Sequence, residues 1–164
     1  YLQANVDHVI TVDDSELTLS FLDMAENHKM IVENSGLLTV AALKHLDFKG
    51  KKVVSVLSGG NMDVLTMATV VQNGLMQRDR IFTVSVMLPD KPGQLAAVSS
   101  LLAEQHGNVI KLEHNVFANV NRTAGVELTI TLESFGTEHK DQIIKALEAA
   151  GYCPVITKTN GIYM

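Results

Sequence analysis

The chain holds a single cysteine, and only 5% of its residues are aromatic. One thiol, Cys153, excludes an internal disulfide and fits a reducing compartment. Scarce aromatics beside a high aliphatic content suit buried parallel strands and helices more than an all-β sandwich. Basic charge is not in excess either: 13 Lys and Arg stand against 18 Asp and Glu, a net −5 spread along both halves. Nucleic acid and anionic membrane both demand a basic face, so neither is the expected partner. No apolar run approaches membrane-spanning length, and Asp7, Asp13 and Asp14 do not suit a signal peptide. A soluble, cytoplasmic protein is expected. The six histidines show no His-x-x-x-His spacing and there is no Cys-x-x-Cys, so no metal site is expected. Internal repeats and low-complexity tracts are absent too.

What is present falls into two grammars. In the first half, Val9–Val12 reads as a short strand running into Asp13-Asp14-Ser15-Glu16, where Asp13 can cap a helix and Glu16 can close a capping box. Leu17, Phe21 and Met24 give that helix one apolar face, with His28 near its end. A second helix is expected over Ser35–Leu46, with Leu38, Ala41, Ala42 and His45 at helical spacing. Val53–Leu57 is a continuous apolar run bounded by turns, as in a strand buried on both faces. Ser58-Gly59-Gly60-Asn61 breaks it, and a third helix follows over Met62–Met76, where the methionines read as gap-filling core. Helix–strand–helix order marks the end of an α/β domain. With so little sheet it would leave apolar faces wet, and the chain starts at Tyr1 without a methionine, so a longer natural chain is expected.

From Arg80 the pattern changes. Phe82, Val84, Val86 and Leu88 alternate with Thr83, Ser85 and Met87. A turn over Pro89–Gly93 follows, with Asp90 as the expected helix cap. Leu95, Val98, Leu101 and Leu102 mark a helix ending near Gly107. Ile110, Leu112 and Val116 alternate with Lys111, Glu113 and Asn115, and Asn119–Arg122 turns the chain. Val126, Leu128, Ile130 and Leu132 alternate with Glu127, Thr129, Thr131 and Glu133. Ile143, Ile144, Leu147 and Ala150 give another helix stopped by Gly151, and Cys153–Thr157 a last strand. The order is βαββαβ, a sandwich able to close its own core. His114 interrupts the inward set of its strand. Phe82 and Phe117 lack the basic company of a base-stacking platform.

The turn Pro89-Asp90-Lys91-Pro92-Gly93-Gln94-Leu95, between the first strand and first helix of such a unit, resembles the ACT domain, a regulatory module that commonly binds amino acids. The likeness covers roughly Ile81 to Thr157. In the first half, Val53–Asp63 with its Ser58-Gly59-Gly60-Asn61 turn resembles the C-terminal end of the catalytic domain of threonine dehydratases and serine racemases. These are fold-type-II pyridoxal-phosphate enzymes. Val32-Glu33-Asn34-Ser35-Gly36 sits where that family carries a Glu-x-x-Gly stretch. The resemblance therefore implies an α/β chain in two parts. Residues 1–79 would be the incomplete end of a pyridoxal-phosphate catalytic domain, and residues 80–164 a ferredoxin-like ACT regulatory domain.

It also implies site residues. Ser58 would donate its hydroxyl to the pyridine nitrogen of the cofactor, with Gly59, Gly60 and Asn61 beside it and Glu33 along the ring. A hydroxyl does not hold that nitrogen protonated, which favours elimination over transamination. The bland alternatives are a plain strand-to-helix turn and a solvated helix-start carboxylate. No catalytic residue is expected here. The family's Schiff-base lysine would lie upstream of Tyr1, and Lys49, Lys51 and Lys52 occupy an exposed turn where an amine stays protonated. In the second half, amides of the Asp90–Leu95 turn would receive an effector's carboxylate, with Pro92, Gly93, Gln94 and Leu95 shaping the contact. Asp90 and Asn115 would receive its ammonium. No arginine follows His114-Asn115, a departure that bears on this pocket.

The implied function is the regulatory end of a threonine ammonia-lyase, which deaminates threonine or serine to a 2-oxo acid under control by an amino-acid effector. A homodimer or homotetramer through paired ACT sheets is expected. The rival readings are a stand-alone amino-acid sensor and an oligomerisation module with an empty site.

Overall fold

The computed structural model describes residues 2–115 and 125–159, so the expected turn at Asn119–Arg122, Val116 and Phe117 lie outside the described residues. The chain forms two compact units, Tyr1–Gly74 and Leu75–Met164.

In the first unit a short α1 (Leu2–Asn5) precedes α2 (Asp14–Asp23), which begins as its capping box requires. The Asp13 amide donates to Glu16 Oε2 at 3.0 Å, relieving one of the orphan donors of a helix start. The helix continues into a π turn over Met24–His28 and stops at Lys29, whose φ of 57° is left-handed. The helical stretch expected over Ser35–Leu46 is wound in three pieces: a 3-10 turn Asn34–Leu37, α3 (Leu38–Ala41) and a 3-10 turn Ala42–His45. His45 Nε2 meets Glu16 Oε1 at 2.9 Å, tying the end of this stretch to the start of α2. The last helix, α4, covers Val64–Gln77. Leu17, Phe21, Met24, Val32, Leu37, Ala41 and Val70 form the buried cluster, with Met62 and Met67 packed against it.

Two sequence expectations fail here. Neither Val9–Val12 nor Val53–Leu57 is a strand, and the described residues of this unit contain none. Val9 is 85% exposed and Val54 88%. An apolar run becomes a strand only where a neighbour supplies the other half of the hydrogen-bond ladder, and this unit offers no such neighbour.

The second unit follows the expected order: β1 (Ile81–Leu88), α5 (Gln94–Glu104), β2 (Asn108–Asn115), β3 (Val126–Glu133), α6 (Thr137–Ala149) and β4 (Val155–Thr157). The sheet runs β2-β3-β1-β4 with every pair antiparallel. Phe82, Val84, Val86 and Leu88 of β1 and Leu128, Ile130 and Leu132 of β3 meet Val98 and Leu102 of α5 and Ile143 and Leu147 of α6 in one core. This is a two-layer α/β sandwich, with both helices on one sheet face.

Two local expectations shift. Asp90 does not cap α5. The helix starts later, at an N-cap Gly93 with φ 90°, a backbone conformation that glycine adopts without strain. In β2 the register slips between Val109 and Lys111, so Ile110 falls in a bulge and Val109, not Ile110, pairs with Leu132.

The entry to β1 is stitched to the start of α6 through Asp79. Its Oδ1 accepts from Lys140 Nζ at 2.7 Å and its Oδ2 from Thr137 Oγ1 at 2.8 Å, and its carbonyl accepts from the Ser134 hydroxyl. Partial burial pushes the Asp79 carboxyl up, but hydrogen bonds from Lys140 and Thr137, with the lysine charge, outweigh it and leave the group below its ordinary range. A folded-state value below the unfolded one adds stability above the ordinary aspartate value near ~3.9, lost as pH falls through the folded value. Asp79→Asn should therefore cost about 1 kcal/mol at pH 7, because solvent still screens the pair. Urea unfolding of both proteins should show that gap closing in strong acid. A gap that persists undiminished there would mean the carboxylate charge is not its source.

Candidate functional site

In the first unit the stretches around Glu33 and Gly59 interlock. The Glu33 amide donates to the Gly59 carbonyl at 3.3 Å. The Glu33 carboxylate accepts from Ser35 Oγ at 2.6 Å, which fixes its orientation. Gly59 has no room for a side chain: a Cβ there would lie 2.6 Å from Glu33 Cδ, and one at Gly36 would lie 3.0 Å from the Gly59 carbonyl oxygen. Thr39 Oγ1 donates to the Val56 carbonyl at 3.1 Å and holds the approach to the turn. Two segments far apart in sequence are thus packed backbone to backbone, and glycine is what permits it.

In front of this junction lies an open depression of about 300 Å³ lined by Glu33, Asn34, Ser35, Asn61, Met62, Asp63 and Thr66. Of the expected cofactor residues, Glu33 and Asn61 line it and Gly59 backs Glu33. Ser58 and Gly60 are not part of its lining. Ser58 is exposed, and its hydroxyl makes no hydrogen bond among the described residues. Lys49, Lys51 and Lys52 are exposed and none lines the depression.

Asp63 and Thr66 were not among the residues singled out from sequence. Asp63 Oδ1 accepts from the amides of Leu65 at 3.0 Å and Thr66 at 2.9 Å, and its other oxygen accepts from the Thr66 hydroxyl. These bonds, that of the Thr66 hydroxyl foremost, hold the Asp63 carboxyl below its ordinary range. Aspartate three residues before threonine, just past a glycine break, is a cap signature that sequence alone carries.

In the second unit the turn after β1 is tightened by the Lys91 amide donating to the Pro89 carbonyl at 2.8 Å. Asp90, Pro92, Gly93 and Leu95 are exposed and Gln94 is half-buried. Asn115 pairs with Glu127, and Glu127 with Met87, so the backbone sets Asn115 at the sheet end from which the turn leaves. Its side chain lies outside the described residues. A further depression of about 540 Å³ lies near the end of α5 and the start of α6. There Phe135 stacks on His139 with ring centroids 4.7 Å apart. His139 Nδ1 accepts from the Phe135 amide at 3.1 Å and Nε2 donates to the Gln105 carbonyl at 2.6 Å, so both ring nitrogens are spent on structure. Among the described residues no group of His, Cys, Asp and Glu could hold a metal ion, and no helix is long and apolar enough to cross a membrane.

Residues 82–151 match the family model of the ACT domain, and the βαββαβ order closes the fit. Within the second unit, the ACT-domain likeness is carried by residues 82–151.

Its relatives extend the likeness across both units. The chain is 35% identical to the L-threonine ammonia-lyase of Geobacter sulfurreducens over 93% of its own length and 39% of that protein's. It is 33% identical to the L-threonine ammonia-lyase of Thermotoga maritima over 90% of this chain and 37% of that protein. The L-threonine dehydratase biosynthetic IlvA of Pasteurella multocida is 28% identical over 99% of this chain and 32% of its own. The chain thus spans about two fifths of the length of the first two relatives. The ACT domain is the part that a family model names; the unit before it is similar to the same lyases.

Proposed function

We propose that the chain is the regulatory end of a pyridoxal-phosphate-dependent threonine ammonia-lyase, with the close of the catalytic domain in its first unit and an effector-binding ACT domain in its second. The observation that carries this reading is the 35% identity to a threonine ammonia-lyase over 93% of the chain, which no ACT domain alone would produce. The complete protein would deaminate threonine or serine. Its ACT domain would bind an amino acid at the Asp90–Leu95 turn, join subunits through its sheet and bias the enzyme between active and inactive arrangements. Such control requires unequal effector affinity for the two.

The first unit fits one edge of the cofactor. Ser58 offers a free hydroxyl, and Glu33 a carboxylate oriented by Ser35 and packed on Gly59, where no side chain would fit. Ser58, Glu33, Gly59, Gly60 and Asn61 are the residues that would hold the ring. Pyridoxal phosphate, when bound, supplies the electron sink that elimination at the β-carbon needs. Ser58 would tune that sink by donating to the ring nitrogen without charging it, and Gly59, lacking a side chain, would let Glu33 sit beside the ring. No lysine lines the depression, so covalent attachment falls to a residue elsewhere in the complete protein.

This chain by itself should therefore neither retain pyridoxal phosphate through desalting nor release ammonia from threonine. Absorbance after gel filtration and an ammonia assay check both. A retained chromophore with turnover would refute the assignment of the missing lysine. Calorimetric titration with isoleucine, valine, threonine and serine tests the effector reading: saturable heat from one of them supports it, and none from any favours a scaffold.

A further inference from the structure

The ACT sheet has a second face, turned away from α5 and α6, and its side chains follow from the strand register. One row across the sheet reads Lys111, Thr131, Thr83, Thr157, and the next reads Glu113, Thr129, Ser85, Val155. Hydroxyls occupy the middle of both rows. Lys111 and Glu113 stand on the β2 side, and Lys158 follows Thr157 on the other. Such a face of an antiparallel sheet is ordinarily wet. Here Thr83 is only 5% exposed, Ser85 7% and Thr131 7%. The threonines, with Lys111, Glu113 and Lys158, line a depression of about 240 Å³.

Proton accounting shows what this depression lacks. Thr83 Oγ1 and Thr131 Oγ1 lie 3.0 Å apart and share one hydrogen bond. Two hydroxyls carry two protons, so one buried O–H remains to be spent, and only an acceptor can take it. Ser85 does not take it: its hydroxyl donates to Glu127 Oε1 at 2.5 Å and is bonded to neither threonine. The charges around the hydroxyls are of both signs. Lys158 has no partner among the described residues. Lys111 Nζ sits 2.8 Å from Glu113 Oε1 with both side chains about half exposed, and such a pair is worth little in water and yields readily to a ligand.

We propose that this face is a ligand site of its own, separate from the Asp90–Leu95 turn, and that it takes a small α-amino-acid zwitterion. The ligand carboxylate would sit between Lys158 and the Thr83–Thr131 hydroxyls, and its ammonium would face Glu113. The size agrees. A depression of about 240 Å³ has room for a small amino acid.

The test uses the whole 164-residue chain with threonine and leucine methyls labelled for NMR, so that Leu88 and Leu95 report on the turn. L-threonine and L-isoleucine are titrated separately into the tens of millimolar, with butyrate as a carboxylate lacking the ammonium. The expected result is saturable shifts of the Thr83, Thr129, Thr131 and Thr157 methyls with at least one amino acid, and binding of butyrate at least about fivefold weaker. Lys158→Met, at an exposed position that spares the fold, should raise Kd about tenfold, and Thr131→Val should weaken binding as well. Shifts confined to residues near the Asp90–Leu95 turn would overturn this site while leaving the effector reading intact. No methyl shift with either amino acid, equal binding of butyrate, or shifts that track protein concentration without ligand would overturn it too, the last marking a contact between copies.

Discussion

Residues 78–164 expressed alone should unfold in one cooperative thermal transition, whereas residues 1–77 alone should lose their helical signal gradually, with no transition. The two units differ in what each can keep from water. In the ACT unit, Val84, Val86, Val98, Leu128, Ile130, Leu132, Ile143 and Leu147 are all 0% exposed, and they come from two strands and two helices. Burial shared among four elements makes loss of any one costly to the rest, which is the origin of two-state melting. Residues 1–77 have helices of 10 and 14 residues as their longest elements and no strand among those described. Isolated helices of that length are marginal in water. Its apolar side chains are also left wet: Val54 is 88% exposed, Val56 66%, Val64 76% and Leu65 81%. Circular dichroism of the two pieces decides the matter. A sharp, cooperative melt of residues 1–77 as a monomer would remove the argument that this unit is the end of something larger.

How far the sequence reached follows the same physical division. Alternation over Val126–Glu133 and helical spacing over Ile143–Leu147 are local signals, and the elements they announce are present. The bulge at Ile110 was not legible, because a one-residue slip is decided by the partner strand rather than by the residues that slip. The shift of the α5 start from Asp90 to Gly93 had the same kind of cause: the left-handed glycine outweighed a capping side chain placed too early. Val53–Leu57 carries a strong strand pattern and still forms no strand, since pairing is a property of two segments. At the candidate cofactor site, composition gave Ser58 to Asn61 as a glycine-rich break and nothing more. That Glu33 packs against Gly59 could be anticipated only through the family resemblance, because nothing in either segment names the other. The hydroxyl rows on the open sheet face were written in the alternation of Thr83, Ser85, Thr129 and Thr131. Their burial was not, since an exposed sheet face and a covered one share that pattern.

The deepest layer of the ACT core gives the other large effect. Ile130 is 0% exposed in β3, with Val84 of β1 on one side and Leu112 of β2 on the other. Truncation to alanine removes three methyl or methylene groups from a site bounded by paired strands, which cannot close on the cavity without breaking the ladder. Ile130→Ala should cost about 2–5 kcal/mol, the range for buried aliphatic-to-alanine changes, and lower the ACT unit's Tm by roughly 10–30 °C. Val155 in β4 is the control: it is equally aliphatic and in the same sheet but 60% exposed, so Val155→Ala should stay within about 0.5 kcal/mol. The contrast separates packing from strand propensity, because both changes lower β propensity alike while only one opens a void. Equal losses for the two variants in urea unfolding would show that the sheet is held by its edges and not by the layer between sheet and helices.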